Sequence, residues 1–146
     1  MFSKDIYTAR RKRLRELTGD GLILLFGNNE APNNYPNNSY YPFRQDSSFM
    51  YYFGANRDGL VGVIDDDGRE WLIGDDIDIV WYGSVDSVAD MAAQAGVAGC
   101  MPMSGLKKII DETKAKGAKI HFLPPYRFDT KIQIMDLLGI HPSQQK

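Results

Sequence analysis

Five apolar residues in a row, Leu22-Ile23-Leu24-Leu25-Phe26, stand between Gly21 and Gly27. A strand with one wet face alternates apolar and polar residues, so an unbroken run bounded by glycines predicts a strand covered on both faces. Such a strand needs helices on each side, and the flanking sequence supplies candidates. Residues 4–18 place Ile6, Ala9, Leu14 and Leu17 on one side of a helical wheel with Arg and Lys opposite, and Gly19 suits a left-handed position at the helix end. Leu60–Ile64 and Arg69–Ile73 flank Asp65-Asp66-Asp67-Gly68, the composition of a β-hairpin. Ser84 is placed to cap a helix over 85–95 with Val88, Ala89, Met91, Ala92 and Ala95 inward and Gly96 at its end. Ser104 is placed to cap another, with Leu106, Ile109, Ile110 and Thr113 inward and Gly117 as the stop. Residues 120–123 predict a short strand cut off by Pro124-Pro125, and Asp129 or Thr130 opens a last helix carrying Ile132, Met135 and Leu138, ended by Gly139. Residues 48–52 read as a short strand or a single turn closed by Gly54. Strands interleaved with helices predict an α/β fold, a layered domain with a mixed β-sheet flanked by helices.

The 146 residues suffice for one domain. Lys and Arg number 17 against 19 Asp and Glu, a net charge of −2, which gives no global attraction to nucleic acid or an anionic membrane. No nucleic-acid or membrane partner is therefore expected. The single cysteine, Cys100, forms no internal disulfide, and the amino terminus runs from Met1 into Arg10-Arg11-Lys12-Arg13 without an apolar signal segment. A cytoplasmic location is the expectation.

Few residues carry obvious chemistry. His121 and His141 have no metal-ligand spacing to each other or to Cys100. His121 lies in a predicted strand and reads as a core or surface residue, and Cys100, beside Met101 and Met103, reads as a buried thiol. Gly19-Asp20-Gly21 precedes a strand rather than following one, so it is no dinucleotide fingerprint. Asp65, Asp66 and Asp67 fall at the hairpin tip, where Asp is common for turn reasons, and Asp75, Asp76 and Asp78 read as loop acids. A metal-dependent hydrolase built on these acids would need oxygen ligands from several elements. No metal ligand is assigned in this chain.

The segment 35–54 is different in kind, because Tyr and Phe crowd around the polar string Arg44-Gln45-Asp46-Ser47. Between Asn28 and Asn38, six Asn and two Pro favour turns. Tyr41-Pro42-Phe43-Arg44-Gln45-Asp46-Ser47-Ser48-Phe49, followed by Tyr51-Tyr52-Phe53-Gly54, closely resembles the motif of the N-terminal domain of aminopeptidase P, in the creatinase/prolidase group. Arg10, Arg11, Arg13 and Leu14, the strand ending at Phe26, and Trp81-Tyr82-Gly83 extend that resemblance over essentially the whole chain.

The resemblance implies a creatinase/prolidase N-terminal fold with a ribonuclease H-like motif, occupying residues 1–146. It also implies a parent protein that removes the N-terminal residue from peptides with proline in second position. The catalytic pita-bread domain of that parent would follow as this chain's C-terminal partner, carrying a dinuclear Mn²⁺ site of Asp, His and Glu. This chain alone would be inactive, would bind no cofactor, and would shape substrate access and a homo-oligomer, dimer or tetramer. Trp81 matches a tryptophan bordering the pocket for the substrate's first side chain. At Asn38 many relatives have an acid near the substrate's amino end, so the neutral amide here withholds that charge pair. Tyr41, Pro42, Arg44, Gln45, Asp46 and Gly54 would be scaffold, with Arg44 and Asp46 as an internal pair. The alternative is a stand-alone peptide-binding or assembly module of the same fold.

Overall fold

The computed structural model describes residues 3–28, 45–75, 87–123 and 128–139. The described elements are α1 (Lys4–Thr18), β1 (Leu22–Phe26), α2 (Ser47–Phe53), β2 (Val61–Ile64), β3 (Glu70–Ile73), α3 (Val88–Ala95), β4 (Gly99–Met101), α4 (Met103–Ala115), β5 (Ile120–Phe122) and α5 (Phe128–Leu138). The sheet runs β4-β3-β2-β1-β5. β2 is antiparallel to β1 and β3, while β4 lies parallel to β3 and β5 parallel to β1. The α/β class with a mixed sheet is as the sequence predicts. β1, β3, β4 and β5 all point one way, so their carboxyl ends share one edge with the start of β2.

Alternation along each strand separates two cores. Ile23, Leu25, Ile64 and Leu72 face Phe49, Phe53, Met91, Ala92 and Ala95 of α2 and α3. Leu22, Leu24, Val61, Val63 and Ile73 face Leu106, Ile110, Ile134 and Leu138 of α4 and α5. The apolar run of β1 is thus covered on both faces, as its composition requires. The hairpin also forms where expected. Asp65 accepts from the amides of Asp67 and Arg69 and from Arg69 Nε at 3.1 Å, so its carboxylate builds the turn.

Several expectations are corrected. Residues 48–52 belong to a helix, α2: Asp46 Oδ2 accepts the Phe49 amide at 2.9 Å and Gly54 closes it at φ 68°. Capping thereby overrides the strand preference of its aromatics. Helix α3 is capped by Ser87 in a reciprocal box with Asp90, rather than by Ser84, and Ala89 is exposed. Helix α4 starts at Met103, whose amide is taken by the distant Asp75 Oδ1 at 3.1 Å, so Ser104 is not its cap. In α5 the buried residues include Ile134 and Leu138, while Ile132 and Met135 stand exposed. Strand β4 had no signal, being three residues long. Gly99 fits under the Trp71 ring there, and Cys100 is exposed rather than buried.

Helix α1 departs furthest from its predicted face. Ile6 and Leu17 are exposed, Leu17 by 70%, and the residues turned inward are Tyr7 and Arg11. Arg11 is fully buried: Nη1 donates to Tyr52 O at 2.8 Å and Nη2 to Ala95 O at 2.7 Å. Those carbonyls lie in the last turns of α2 and α3, where helices leave acceptors without intrahelical donors and carry partial negative charge. Glu70 Oε2 lies 3.0 Å from Arg11 Nε, a charge contact whose N–H is not aligned for a hydrogen bond. The Phe53 ring lies beneath the guanidinium, 5.2 Å from its carbon. Only a planar, always charged fork reaches all of these at once.

Arg11→Met is expected to cost about 3–5 kcal/mol by stranding buried acceptors and the Glu70 carboxylate. The thermal midpoint should fall by roughly 10 °C or more. An unchanged midpoint in calorimetry would remove Arg11 from its central role.

Candidate functional site

Gln45 is the buried centre of the aromatic motif. Its Oε1 accepts the amides of Asn28 at 2.8 Å and Asp46 at 3.0 Å. Its Nε2 donates to the carbonyls of Ala55 at 2.9 Å and Arg57 at 2.8 Å. All four of its bonds go to backbone, and they join the exit of β1 to the chain following α2. Gly27 donates to Leu60 O and Gly59 to Asn28 O alongside, completing the edge. Asp46 is spent on the cap of α2, and Gly54 packs against the Tyr7 ring. The contacts given for these three motif residues are all made within this chain.

Asn38, Tyr41, Pro42, Arg44 and Trp81 lie outside the described residues, as do Asp76, Asp78 and His141. The described residues next to the stretches carrying Asn38 and Trp81 lie at the carboxyl edge of the parallel strands. Residues 28 and 45 bound the first stretch, and residue 75 precedes the second. In open α/β sheets this is the edge outside which ligands usually bind.

A cavity of about 360 Å³ lies elsewhere, between α4 and the β2–β3 turn. Trp71, Met101 and Ile109 contribute its apolar lining, and Asp66, Lys108 and Glu112 are among its charged residues. The hairpin tip belongs to the opposite sheet edge, so this cavity does not join the motif.

The other chemical candidates are occupied with structure. Asp66 Oδ1 accepts the Gly21 amide at 2.8 Å, and His121 Nε2 lies 2.8 Å from Asp20 O, so both fasten the entry of β1. Trp71 Nε1 reaches Asp65 Oδ2 at 3.4 Å. Among the described residues no three His, Cys, Asp or Glu side chains are grouped to hold a metal. Nor, among them, is any helix long and apolar enough to cross a membrane.

The sequence reading missed the burial of Arg11, the role of Arg57 and the capping role of Asp75. Arg57 Nη2 donates to Asp75 O at 2.6 Å, a contact 18 residues apart that no local pattern announces.

Residues 7–121 match the family model of the aminopeptidase P N-terminal domain. The chain belongs to that family. Comparison with curated proteins finds no match. Among solved structures, the low-pH form of Escherichia coli aminopeptidase P is 24% identical over 77% of this chain and 27% of its own, with a TM-score of 0.66. Pseudomonas aeruginosa aminopeptidase PepP is 20% identical over 94% of this chain and 32% of its own, with a TM-score of 0.78. The Escherichia coli enzyme with the inhibitor Pro-Leu gives 20% identity, 94% and 33% coverage and a TM-score of 0.77. At such identity the likeness establishes the fold. The chain spans about a third or less of the length of these structures.

Gly54→Ala is expected to cost about 2–4 kcal/mol, combining a left-handed backbone with overlap on the Tyr7 ring. Equilibrium denaturation reads this directly, and a loss under 1 kcal/mol would refute the packing argument (about the scale of a neutral surface change).

Proposed function

We propose that this chain is the non-catalytic N-terminal domain of a metal-dependent Xaa-Pro aminopeptidase, which removes the N-terminal residue from peptides with proline in second position. The observation that carries this reading is the family match over residues 7–121, which includes the Tyr41–Gly54 motif. The greater length of the solved relatives supports a C-terminal catalytic domain as partner. A dinuclear Mn²⁺ centre is assigned to that domain. The described residues of this chain do not fit a metal, since Asp65, Asp66 and Asp75 spend carboxylate oxygens on backbone amides.

In this reading the domain shapes substrate access and the contact between subunits of a dimer or tetramer in the cytoplasm. Trp81 borders the pocket for the substrate's first side chain, and Asn38 lies near its amino end as a neutral hydrogen-bonding group. What supports this reading is that both residues fall within the family match over residues 7–121. A tryptophan there supplies apolar area and one N–H donor, suited to gripping a side chain without chemistry of its own.

Two measurements test this. In the full peptidase, Trp81→Ala should lower kcat/KM about tenfold, the scale of one lost apolar pocket contact, with metal content unchanged. Unchanged kinetics would remove Trp81 from the pocket. The 146-residue chain, given an Xaa-Pro peptide and Mn²⁺, should release no N-terminal residue, while the protein extended beyond Lys146 should. Release by the chain alone would overturn the non-catalytic assignment, and a reading frame stopping at Lys146 would favour the stand-alone module.

A further inference from the structure

We infer that the cavity between α4 and the β2–β3 turn is a binding site for a free α-amino acid with an aromatic side chain. All of its lining residues are described, and it lies at the sheet edge opposite the family motif, so the inference does not rest on the peptidase reading. Its volume of about 360 Å³ sits at the small end of ligand cavities, which run from about 300 to 1,000 Å³. A single amino acid suits that size.

The apolar wall is fixed in place. Trp71 is half-buried, its ring is seated on Gly99, and its Nε1 donates to Asp65 Oδ2 at 3.4 Å. A Cβ on Gly99 would stand 2.5 Å from Trp71 Cζ3, and one on Gly105 would stand 2.5 Å from Met101 Sδ. Neither glycine has positive φ, so neither backbone requires glycine. The missing side chains give the indole and the thioether their seats. With Ile109 beside them, they form a wall that takes a flat apolar group by stacking and by contact with sulfur.

The charged groups of the lining divide into committed and uncommitted. Asp65 builds the turn with both oxygens, Asp66 gives Oδ1 to the Gly21 amide, and Asp67 pairs with Arg69. Lys108, Glu112 and Lys116 recur every four residues along one side of α4 and its C-cap, and among the described residues none of them has an ion-pair partner. Successive members stand about 6 Å apart along the helix axis. An α-amino acid carries its ammonium and carboxylate on one carbon, so a carboxylate beside either lysine leaves the ammonium within reach of Glu112. A simple anion would meet Glu112 as well as the lysines, and a simple cation would meet the lysines. The row of plus, minus and plus therefore favours a zwitterion over either.

Nuclear magnetic resonance titration of the 146-residue chain with L-phenylalanine tests this. The Trp71 indole N–H signal is identified by its loss in Trp71→Phe or its survival in Trp81→Phe. That signal and the Glu112 amide should shift saturably, with a Kd on the order of 1 mM, the scale for a ligand of this size. 3-Phenylpropionate, without the ammonium, and phenethylamine, without the carboxylate, should each bind about threefold to fivefold more weakly. Glycine, without a ring, should leave the indole unmoved. Glu112 is exposed, so Glu112→Gln should keep the thermal midpoint while removing the preference for L-phenylalanine over 3-phenylpropionate. No saturable shift at about ten times the expected Kd would overturn the site. Equal binding of 3-phenylpropionate by the unsubstituted chain, or an unchanged preference in Glu112→Gln, would overturn the amino-acid assignment.

Discussion

The structure depends on one buried guanidinium. Arg11 joins α1, the ends of α2 and α3, and β3, and nothing apolar could replace it. Two short helices end against it, with seven and eight residues respectively. Helices this short gain little stability from propensity and depend on tertiary packing and on having their terminal carbonyls met. A positive charge at two carboxyl ends meets both needs and also neutralises Glu70. Arg10 and Arg15 extend the pattern, donating to Tyr51 O and to the carbonyls of Ile64 and Asp65. On the other face Lys107 and Lys114 do the same for the last carbonyls of α5. These five basic residues of a near-neutral chain thus meet backbone carbonyls of elements remote in sequence.

With the helices fastened from one side, the carboxyl edge of the sheet is left to organise what leaves it. The parallel strands deliver their exits to the same edge, and β2, the only antiparallel member among the described strands, enters there. Polar side chains lie across that edge because the backbone groups beyond the last ladder bonds require partners. Gln45 serves four of them, Asp75 and Arg57 others. The opposite edge carries the hairpin turn and the cavity under α4, where Asp65 and Asp66 hold loops in place.

Much of this was legible residue by residue, and the misses share a cause. The hairpin was readable because Asp65–Gly68 carries its turn chemistry locally, and β1 because its run has no polar face. The carboxyl ends at Gly54, Gly96, Gly117 and Gly139 were readable because glycine suits the left-handed backbone there, and all four have positive φ. The inward face of α1 was not, since amphipathic patterning assigns arginine to water and Arg11 is buried only because two other helices end upon it. The start of α4 was misplaced because its cap, Asp75, comes from another element. Of the candidate site, Gln45, Asp46 and Gly54 were recognised through the motif, yet why a glutamine stands there became clear only from its four backbone partners.

The sequence by itself determined the layered α/β class, most helices and strands, and membership of the aminopeptidase P N-terminal family, because periodicity, turn residues and a contiguous motif are local properties. Tertiary structure alone decided which polar residues are buried, where β4 joins the sheet, and that Asn28, Gln45, Arg57 and Asp75 meet. The physical reason is that a buried polar group is tolerated only when distant backbone supplies its partners, and no spacing along the chain records which backbone that is.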